Sequence, residues 1–218
     1  MLEILVFLGS VRESAPPRPA RLGLRVARAC VNQLGGMALP ATLVDPLQLD
    51  LPRPFKPHFA YPHGNAPPQL DALAGQIAAA DGYVMVSPEY NHSLSPALAD
   101  MLNHFGSSLF SYKPSAIVTY SAGQWGGVRA AVGLRTFLSE LGCLPVSAMV
   151  HVPKAQDVLD ADGAFMPGED ADAWHKYFAR SFSQLKWWAE AAKQGRSATS
   201  TASLPPAFRT NPSQRNAP

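Results

Sequence analysis

Residues 82–96 read Gly-Tyr-Val-Met-Val-Ser-Pro-Glu-Tyr-Asn-His-Ser-Leu-Ser-Pro, and they give the strongest indication of the architecture. The stretch opens with an apolar run of strand length and closes with Ser95 and Pro96, a typical helix start. The polar loop between them follows the carboxyl end of a buried strand, where open α/β sheets bind their ligands. Ordinary strand-to-helix connections are also rich in Pro, Asn and Ser, so this loop alone favours neither a binding loop nor a plain connection.

Strands and helices alternate along most of the chain. Apolar runs of strand length occur at residues 2–8, 41–45, 82–87, 115–120 and 144–152. Helical periodicity occurs at about 21–34, 69–80, 96–105, 127–141 and 174–193. This alternation is typical of βαβ units and a parallel sheet. We therefore predict a flavodoxin-like three-layer α/β sandwich with a five-stranded parallel sheet in the order 2-1-3-4-5.

One domain is expected over residues 1–194, followed by a tail. Residues 195–218 are rich in Ser, Thr, Pro, Asn and Arg, which predicts disorder. Residues 46–68 hold seven prolines and predict a long ordered loop across one face of the sheet. The helical patterns predict burial of Val128 and Val132 in the fourth helix and of Trp188 in the last one.

Composition excludes several classes of function. The 18 Lys and Arg residues nearly balance 16 Asp and Glu, and no basic face for nucleic acid is evident. Cys30 and Cys143 suit buried thiols in a reducing compartment. The amino terminus resembles a buried strand rather than a signal peptide, and no apolar stretch approaches the ~20 residues that span a bilayer. We expect a cytoplasmic protein without membrane or metal, since the six His residues form no ligand cluster.

Two further loops carry unusual chemistry. After the first strand come Gly9, Ser10 and Arg12, followed by Arg21 and Gly23 at the start of a helix. A sharp turn, a hydroxyl, fixed positive charge and a helix amino terminus favour a phosphate monoester, although solvated surface arginines would give the same pattern. After the fourth strand, residues 121–127 read Ser-Ala-Gly-Gln-Trp-Gly-Gly. These glycines would let the backbone approach a planar ligand, or would only form a turn.

The three loops are expected at the same edge of the sheet, because they follow strands one, three and four and the sheet is parallel. Together they would offer a phosphate site and two backbone-rich walls for a flat ring. Flavin mononucleotide, FMN, fits this combination best among common cofactors. No G-x-G-x-x-G or Walker loop is present to indicate a dinucleotide or a nucleoside triphosphate.

The loop motifs resemble those of the NADPH-dependent FMN reductase family, which includes flavodoxin-like quinone, azo-dye and chromate reductases. The resemblance rests on Gly9-Ser-Val-Arg, Arg21-Leu-Gly, Pro88-Glu-Tyr-Asn-His-Ser and Ser121-Ala-Gly-Gln-Trp-Gly-Gly-Val-Arg-Ala, and it covers about residues 2–152. It implies that the phosphate is held by Ser10, Arg12, Arg21 and Gly23. It further implies that residues of the loop after the third strand line the flavin ring, namely Pro88, Glu89, Tyr90 and Asn91. The pyrimidine side of the ring would face the loop after the fourth strand, with Ser121, Gly123, Gly126 and Gly127. The stretch 13–20 is longer than is usual in the family, so Arg18 is an alternative to Arg21.

The expected activity is reduction of quinones, azo compounds or similar flat acceptors by NADPH or NADH, with ping-pong hydride transfer through FMN. No protein side chain is expected to act as a catalyst, and the Glu89 carboxylate is expected to pair with a neighbouring subunit or a loop amide. A homodimer or homotetramer is expected, although buried packing within one chain would explain the same apolar faces. Two alternatives stay open: a flavin-binding electron carrier or redox sensor without steady turnover, and a flavodoxin-fold module without cofactor.

Overall fold

The computed structural model describes residues 1–13 and 21–200. Its strands are β1 (Ile4–Leu8), β2 (Ala41–Val44), β3 (Gly82–Pro88), β4 (Pro114–Tyr120), β5 (Leu144–Pro145) and β6 (Val150–Val152). Its helices are α1 (Leu22–Gly36), α2 (Pro68–Ala79), α3 (Pro96–Asn103), α4 (Ser107–Phe110), α5 (Val128–Leu141), α6 (Ala155–Val158) and α7 (Ala171–Ala198). No helix in this part of the chain is long and apolar enough to cross a membrane.

The sheet is parallel in the order β2-β1-β3-β4-β5, which confirms the predicted flavodoxin-like topology. Leu8 pairs with Val86 and Pro88 pairs with Tyr120, so β1, β3 and β4 end at the same edge. The loops that follow these strands are thereby brought side by side.

Apolar side chains from the two faces of the sheet form two cores. Val6, Val84 and Val118 pack with α1 and α7 on one face, and Phe7, Met85 and Ile117 pack with α2, α3 and α5 on the other. Successive strand residues point to opposite faces, so the uninterrupted apolar runs seen in the sequence are those of strands covered on both sides.

The predicted fifth strand over residues 144–152 is divided into β5 and β6, both of which pair with β4. Side chains form hydrogen bonds with the backbone groups between β5 and β6. Gln184 Oε1 accepts from the Ala148 amide at 3.2 Å, and the Arg135 guanidinium donates to the Val146 carbonyl at 2.9 Å. These long-range partners replace hydrogen bonds of the sheet, and nothing in the local sequence signals them.

Helix α7 is longer than the predicted helix over 174–193. It begins after Asp170, whose carboxylate accepts from the Ala173 amide at 3.0 Å. Its carboxyl end is held to the sheet because Lys193 and Arg196 contact Asp81 at 2.8 and 2.7 Å. Residues 195–198 are therefore helical and extend the folded part past residue 194, whereas the tail from 201 to 218 lies outside the described residues.

The proline-rich segment packs beside α3. Leu49, Leu51 and Tyr61 lie against the second core, and the His58 amide donates to the His104 carbonyl at 2.7 Å.

The expected burial of three helix residues is wrong, because Val128, Val132 and Trp188 are 37%, 67% and 41% exposed.

Candidate functional site

Three loops meet at the carboxyl edge of the sheet. The first loop follows β1 and is described over residues 9–13 before α1 begins, the second loop comprises residues 89–95, and the third loop comprises residues 121–127. These loops hold the predicted site residues, together with Gly23 in the first turn of α1 and Pro88 at the end of β3.

The first loop turns sharply against β3 and α3. The Gly9 amide donates to the Val86 carbonyl at 2.7 Å, and a Cβ at Gly9 would lie 2.8 Å from Leu98 Cβ. Only glycine fits this position. Ser10 is buried, and its hydroxyl accepts from the Arg12 amide at 3.2 Å, whereas the Arg12 side chain is exposed.

Arg21 fixes the first loop from the helix side. Its guanidinium donates to Asp45 at 2.6 and 2.9 Å and to the Ser10 carbonyl at 2.9 Å. Burial opposes ionisation of Asp45, but the hydrogen bonds from Arg21 and the Leu47 amide, together with the charge of Arg21, outweigh it and hold the pKa of the carboxyl below its ordinary value. Arg21 Nε is buried and has no hydrogen-bond partner in the described part of the chain. One donor of this arginine is thus left for a ligand, and Arg18 lies outside the described residues.

Tyr120 belongs to the same end of the site, although sequence reasoning did not select it. Its hydroxyl lies at the start of α1, because a Cβ at Gly23 would be 2.4 Å from the Tyr120 oxygen. Burial raises the pKa of Tyr120, so this phenol stays protonated. Its place as the last residue of β4, directly before the third loop, was the available signal.

The second loop is a tight turn. The Tyr90 amide donates to the Ser93 carbonyl at 3.2 Å and the Ser93 amide returns a bond to Tyr90 at 2.9 Å. Between them, Asn91 and His92 have φ of 51° and 61°. Two positive φ angles are typical of a type I′ turn, and asparagine is among the residues that tolerate this conformation best.

Glu89 joins the second loop to α5. Its carboxylate accepts from the Arg129 amide at 2.9 Å, from the Ala130 amide at 3.4 Å and from the Arg129 guanidinium at 3.2 Å. Burial opposes its ionisation, yet these bonds prevail and the pKa of Glu89 is lowered. An ionised carboxylate at a helix amino terminus is also favoured by the helix dipole. The carboxylate thus holds α5 in position, and the backbone of the loop remains available for a ring.

The third loop is held by hydroxyl groups from β4 and from the loop itself. Ser121 Oγ donates to the Gly123 carbonyl at 2.8 Å and accepts from the Gly126 amide at 3.0 Å. Thr119 Oγ1 donates to the Gly126 carbonyl at 2.8 Å. Gly127 has φ of 79° and lies so close to Thr119 that a Cβ would be 2.9 Å from its Cβ.

Gly123 differs from the other glycines of the third loop. No atom lies within 4 Å of where its Cβ would be, so it borders open space. The third loop thus presents a closely packed base, formed by Gly126 and Gly127, and an open rim at Gly123. Within residues 1–13 and 21–200, no group of three or more His, Cys, Asp or Glu side chains is placed to hold a metal ion.

Comparison with known proteins agrees with this geometry. A family model described as NADPH-dependent FMN reductase matches residues 2–157. An NAD(P)H-dependent FMN reductase of Pseudomonas aeruginosa is 35% identical over 104 residues, which are 46% of this chain and 56% of the relative. A quinone reductase of Escherichia coli strain K12 is 41% identical over 75 residues, 33% of this chain and 40% of the relative. The chain thus spans about half the length of the curated relatives it matches, or less.

Solved structures share the fold. FerB, a flavoenzyme NAD(P)H:(acceptor) oxidoreductase from Paracoccus denitrificans, superposes with a TM-score of 0.65 at 19% identity, covering 87% of this chain and 98% of that chain. RosB, solved with 8-demethyl-8-formylriboflavin-5'-phosphate, superposes with a TM-score of 0.59 at 14% identity, covering 100% of this chain and 98% of that chain. At these identities the likeness concerns the fold.

Proposed function

Because the chain belongs to the NADPH-dependent FMN reductase family, as its loop motifs predicted, we propose that it is an FMN-dependent NAD(P)H oxidoreductase acting on quinones, azo compounds or similar flat acceptors. The observation that carries the proposal is the meeting of three rigid loops at one sheet edge. One end of this edge offers donors for an anion, and the other offers open backbone for a flat ring.

The phosphate end would be formed by Ser10, Arg12, Arg21 and Gly23. Within residues 1–13 and 21–200, Arg21 Nε is a buried donor without a hydrogen-bond partner, and the Arg12 side chain is exposed in the first loop. Arg21, the residue before α1, makes no side-chain hydrogen bond to the first turn of the helix, and the dipole of this turn would favour an anion. These features fit a phosphate monoester.

The ring end would be formed by backbone from both sides. Pro88, Glu89, Tyr90 and Asn91 would line the isoalloxazine from the second loop. The pyrimidine edge would face the third loop, with these residues around it: Ser121, Gly123, Gly126 and Gly127. Because hydrogen bonds within each loop already fix its shape, the amides would be preorganised for negative charge on the ring.

The protein's part in the reaction is to bind and orient. Bound FMN supplies hydride transfer from NAD(P)H to an acceptor, so no general base is required. The open space at Gly123 would leave room for NAD(P)H and then for a flat acceptor at the same place. Substrates that use one place in turn give ping-pong kinetics.

The test is FMN titration of the purified protein followed by steady-state kinetics. We expect one FMN per chain, quinone-dependent NADPH consumption and parallel lines in double-reciprocal plots at several quinone concentrations. Failure to bind FMN would overturn the proposal. NADPH oxidation limited to the bound flavin, without turnover, would identify an electron carrier or sensor instead.

We propose further that the chain assembles as a homodimer or homotetramer. Trp125, Val128 and Val132 are 59%, 37% and 67% exposed and follow one another along one side of α5 and the loop before it. An exposed apolar stripe of this kind, beside a ligand site, is typical of a subunit interface.

A cytoplasmic location completes the proposal. Cys30 and Cys143 are both free and buried, and burial raises the pKa of the Cys143 thiol to about 12. Such thiols behave as small hydrophobic groups, which suits a reducing compartment.

A further inference from the structure

The peptide between Gly126 and Gly127 is the part of the third loop with the greatest freedom to turn. Both residues are glycines with positive φ, 60° and 79°, and glycine adopts positive and negative φ about equally readily. The backbone alone therefore does not decide which way the Gly126 carbonyl and the Gly127 amide point. The peptide is trans, so these two groups point in opposite directions and a contact to one of them orients both.

The side chain of Thr119 makes this contact. Thr119 is buried in β4, and its hydroxyl donates to the Gly126 carbonyl at 2.8 Å. The carbonyl is thereby turned towards the end of the strand. The amide of Gly127 consequently points away from Thr119.

His151 of β6 leaves the Thr119 hydroxyl no other use for its proton. Its Nδ1 lies 2.7 Å from Thr119 Oγ1, and a hydroxyl has one proton, which is donated to the Gly126 carbonyl. His151 Nδ1 therefore carries a hydrogen and donates it to Thr119. Burial, and to a smaller extent the charge of Arg180, lowers the pKa of His151, so the ring is neutral in neutral solution. The His151 amide donates to the Tyr177 hydroxyl at 3.1 Å, which fixes the residue against α7.

The amide of Gly127 is the donor that this arrangement leaves free. The amides of residues 128–130 donate to the Trp125 carbonyl and the Glu89 carboxylate, at 3.4, 2.9 and 3.4 Å. Gly127 is buried, and within residues 1–13 and 21–200 its amide has no hydrogen-bond partner. Because a buried amide without a partner costs free energy, we expect a ligand to accept from it.

We propose that Thr119, supported by His151, is a positioning residue that aims the Gly127 amide at the pyrimidine side of FMN and thereby raises the reduction potential of the flavin. This role rests on the proposed function, in which the third loop faces that side of the ring. A hydride brings two electrons and one proton, so its acceptance adds one negative charge to the ring. A fixed donor binds the charged ring more strongly than the neutral one and so favours the reduced state.

The test compares Thr119→Val, which removes the hydroxyl and keeps the branched shape, with Thr119→Ser, which keeps a hydroxyl. Thr42→Val, at an exposed position of β2, is the matched control. FMN titration gives the affinity for oxidised FMN, and equilibration with redox dyes gives the two-electron potential of the bound flavin. We expect Thr119→Val to weaken binding of reduced FMN about tenfold more than that of oxidised FMN, which lowers the potential by about 30 mV. Thr119→Ser and the control should retain the wild-type potential.

A second measurement does not depend on FMN or on the folding of Thr119→Val. Nitrogen-15 NMR of the full chain with labelled histidine shows which ring nitrogen of His151 carries the hydrogen, and His151→Gln identifies the signals. We expect the hydrogen on Nδ1. A hydrogen on Nε2 alone would overturn the proposal, because Thr119 would then donate to His151 and release the Gly126 carbonyl.

The redox measurement can also overturn the proposal. Equal weakening of oxidised and reduced FMN in Thr119→Val would mean that Thr119 only maintains the shape of the loop, since such a loss leaves the potential unchanged. Absence of FMN binding by the wild type would overturn the proposed function itself, and this role with it. The two failures are therefore distinguishable.

Discussion

Tyr120 is the residue through which β4 reaches the phosphate end of the site. Its hydroxyl lies where a side chain at Gly23 would otherwise be. Its two neighbours in the chain act on the other side, because Thr119 of β4 and Ser121 of the third loop hold that loop in shape. The end of one strand thus sets the spacing between the loop for the phosphate and the loop for the ring.

Replacing Tyr120 by Phe is expected to weaken FMN binding by about 2–10-fold, the range for loss of one neutral hydrogen bond. Riboflavin, which lacks the phosphate, should bind equally to both proteins. Fluorescence titration with each flavin measures the two affinities, and Tyr61→Phe in the proline-rich segment is the control. Equal losses for FMN and riboflavin would show that Tyr120 acts on general packing rather than on the phosphate end.

Alanine substitutions of Arg12 and Arg21 should have different effects on stability. Arg12→Ala should lower FMN affinity and leave the unfolding free energy unchanged, because the Arg12 side chain is exposed. Arg21→Ala should lower both, the unfolding free energy by about 1–3 kcal/mol, since Asp45 is left buried without its cation.

Acid should remove the stability difference caused by Arg21. The folded-state pKa of Asp45 is depressed, so its ion pair with Arg21 stabilises the fold fully above the unfolded pKa of about 3.9, and this stability is lost as the pH falls through the lower folded-state pKa. Denaturant melts of wild type and Arg21→Ala at neutral and acidic pH should therefore converge in acid. A constant difference across pH would contradict the assignment.

At the residue level, the sequence predicted the loops well and the individual bonds poorly. Glycine pairs, proline pairs and polar runs mark where the chain must turn, so their positions were visible. The use of Arg21 for Asp45, and of Glu89 for the α5 amides, depends on residues 24 and 40 positions away. Tyr120 was overlooked because a strand buried on both faces gives no periodicity to show where each side chain points.

Among the elements, α7 has its carboxyl end attached to the sheet through the buried carboxylate of Asp81. Asp81 accepts from Lys193, Arg196 and the Glu3 amide, at 2.8, 2.7 and 3.2 Å. Its side chain is 5% exposed. The contact explains why α7 continues past Lys193, where polar composition predicted an end.

Replacing Asp81 by Ala should lower the unfolding free energy by about 1–3 kcal/mol and fray the last turns of α7. Hydrogen exchange should accelerate in residues 193–198 and remain slow around Phe182. The control is Asp162→Ala, because Asp162 is 89% exposed in its pair with Arg28 and should contribute under about 1 kcal/mol. Unchanged exchange in Asp81→Ala would mean that packing alone holds the helix end.

Element order was more predictable than element length. Each strand of the sheet is apolar and each main helix has a periodic face, so the order could be derived from pattern alone. The break between β5 and β6 could not, because it is made by Gln184 of α7 and Arg135 of α5. The short helix α4 could not be predicted either, because its single turn is too short to show a helical repeat of apolar residues in the sequence.

At the scale of the molecule, most of the exposed large apolar side chains within residues 1–13 and 21–200 lie in two places, and Met1, Val11, Leu47 and Phe55 lie elsewhere. One is the stripe on α5 beside the three loops, and the other, which includes Trp187, surrounds a cavity at the amino edge of the sheet. The stripe on α5 is the surface that we propose for contact with another subunit, and Val132 is its most exposed member.

Val132→Lys should weaken self-association at least tenfold, about 1.4 kcal/mol, because burial of the stripe would now desolvate an ammonium. Sedimentation equilibrium across a concentration series measures the change. Leu47→Lys, at a position 42% exposed in the turn after β2, is the control and should leave association unchanged. If Val132→Lys sediments as wild type while Trp187→Lys becomes monomeric, subunits meet at the amino edge instead.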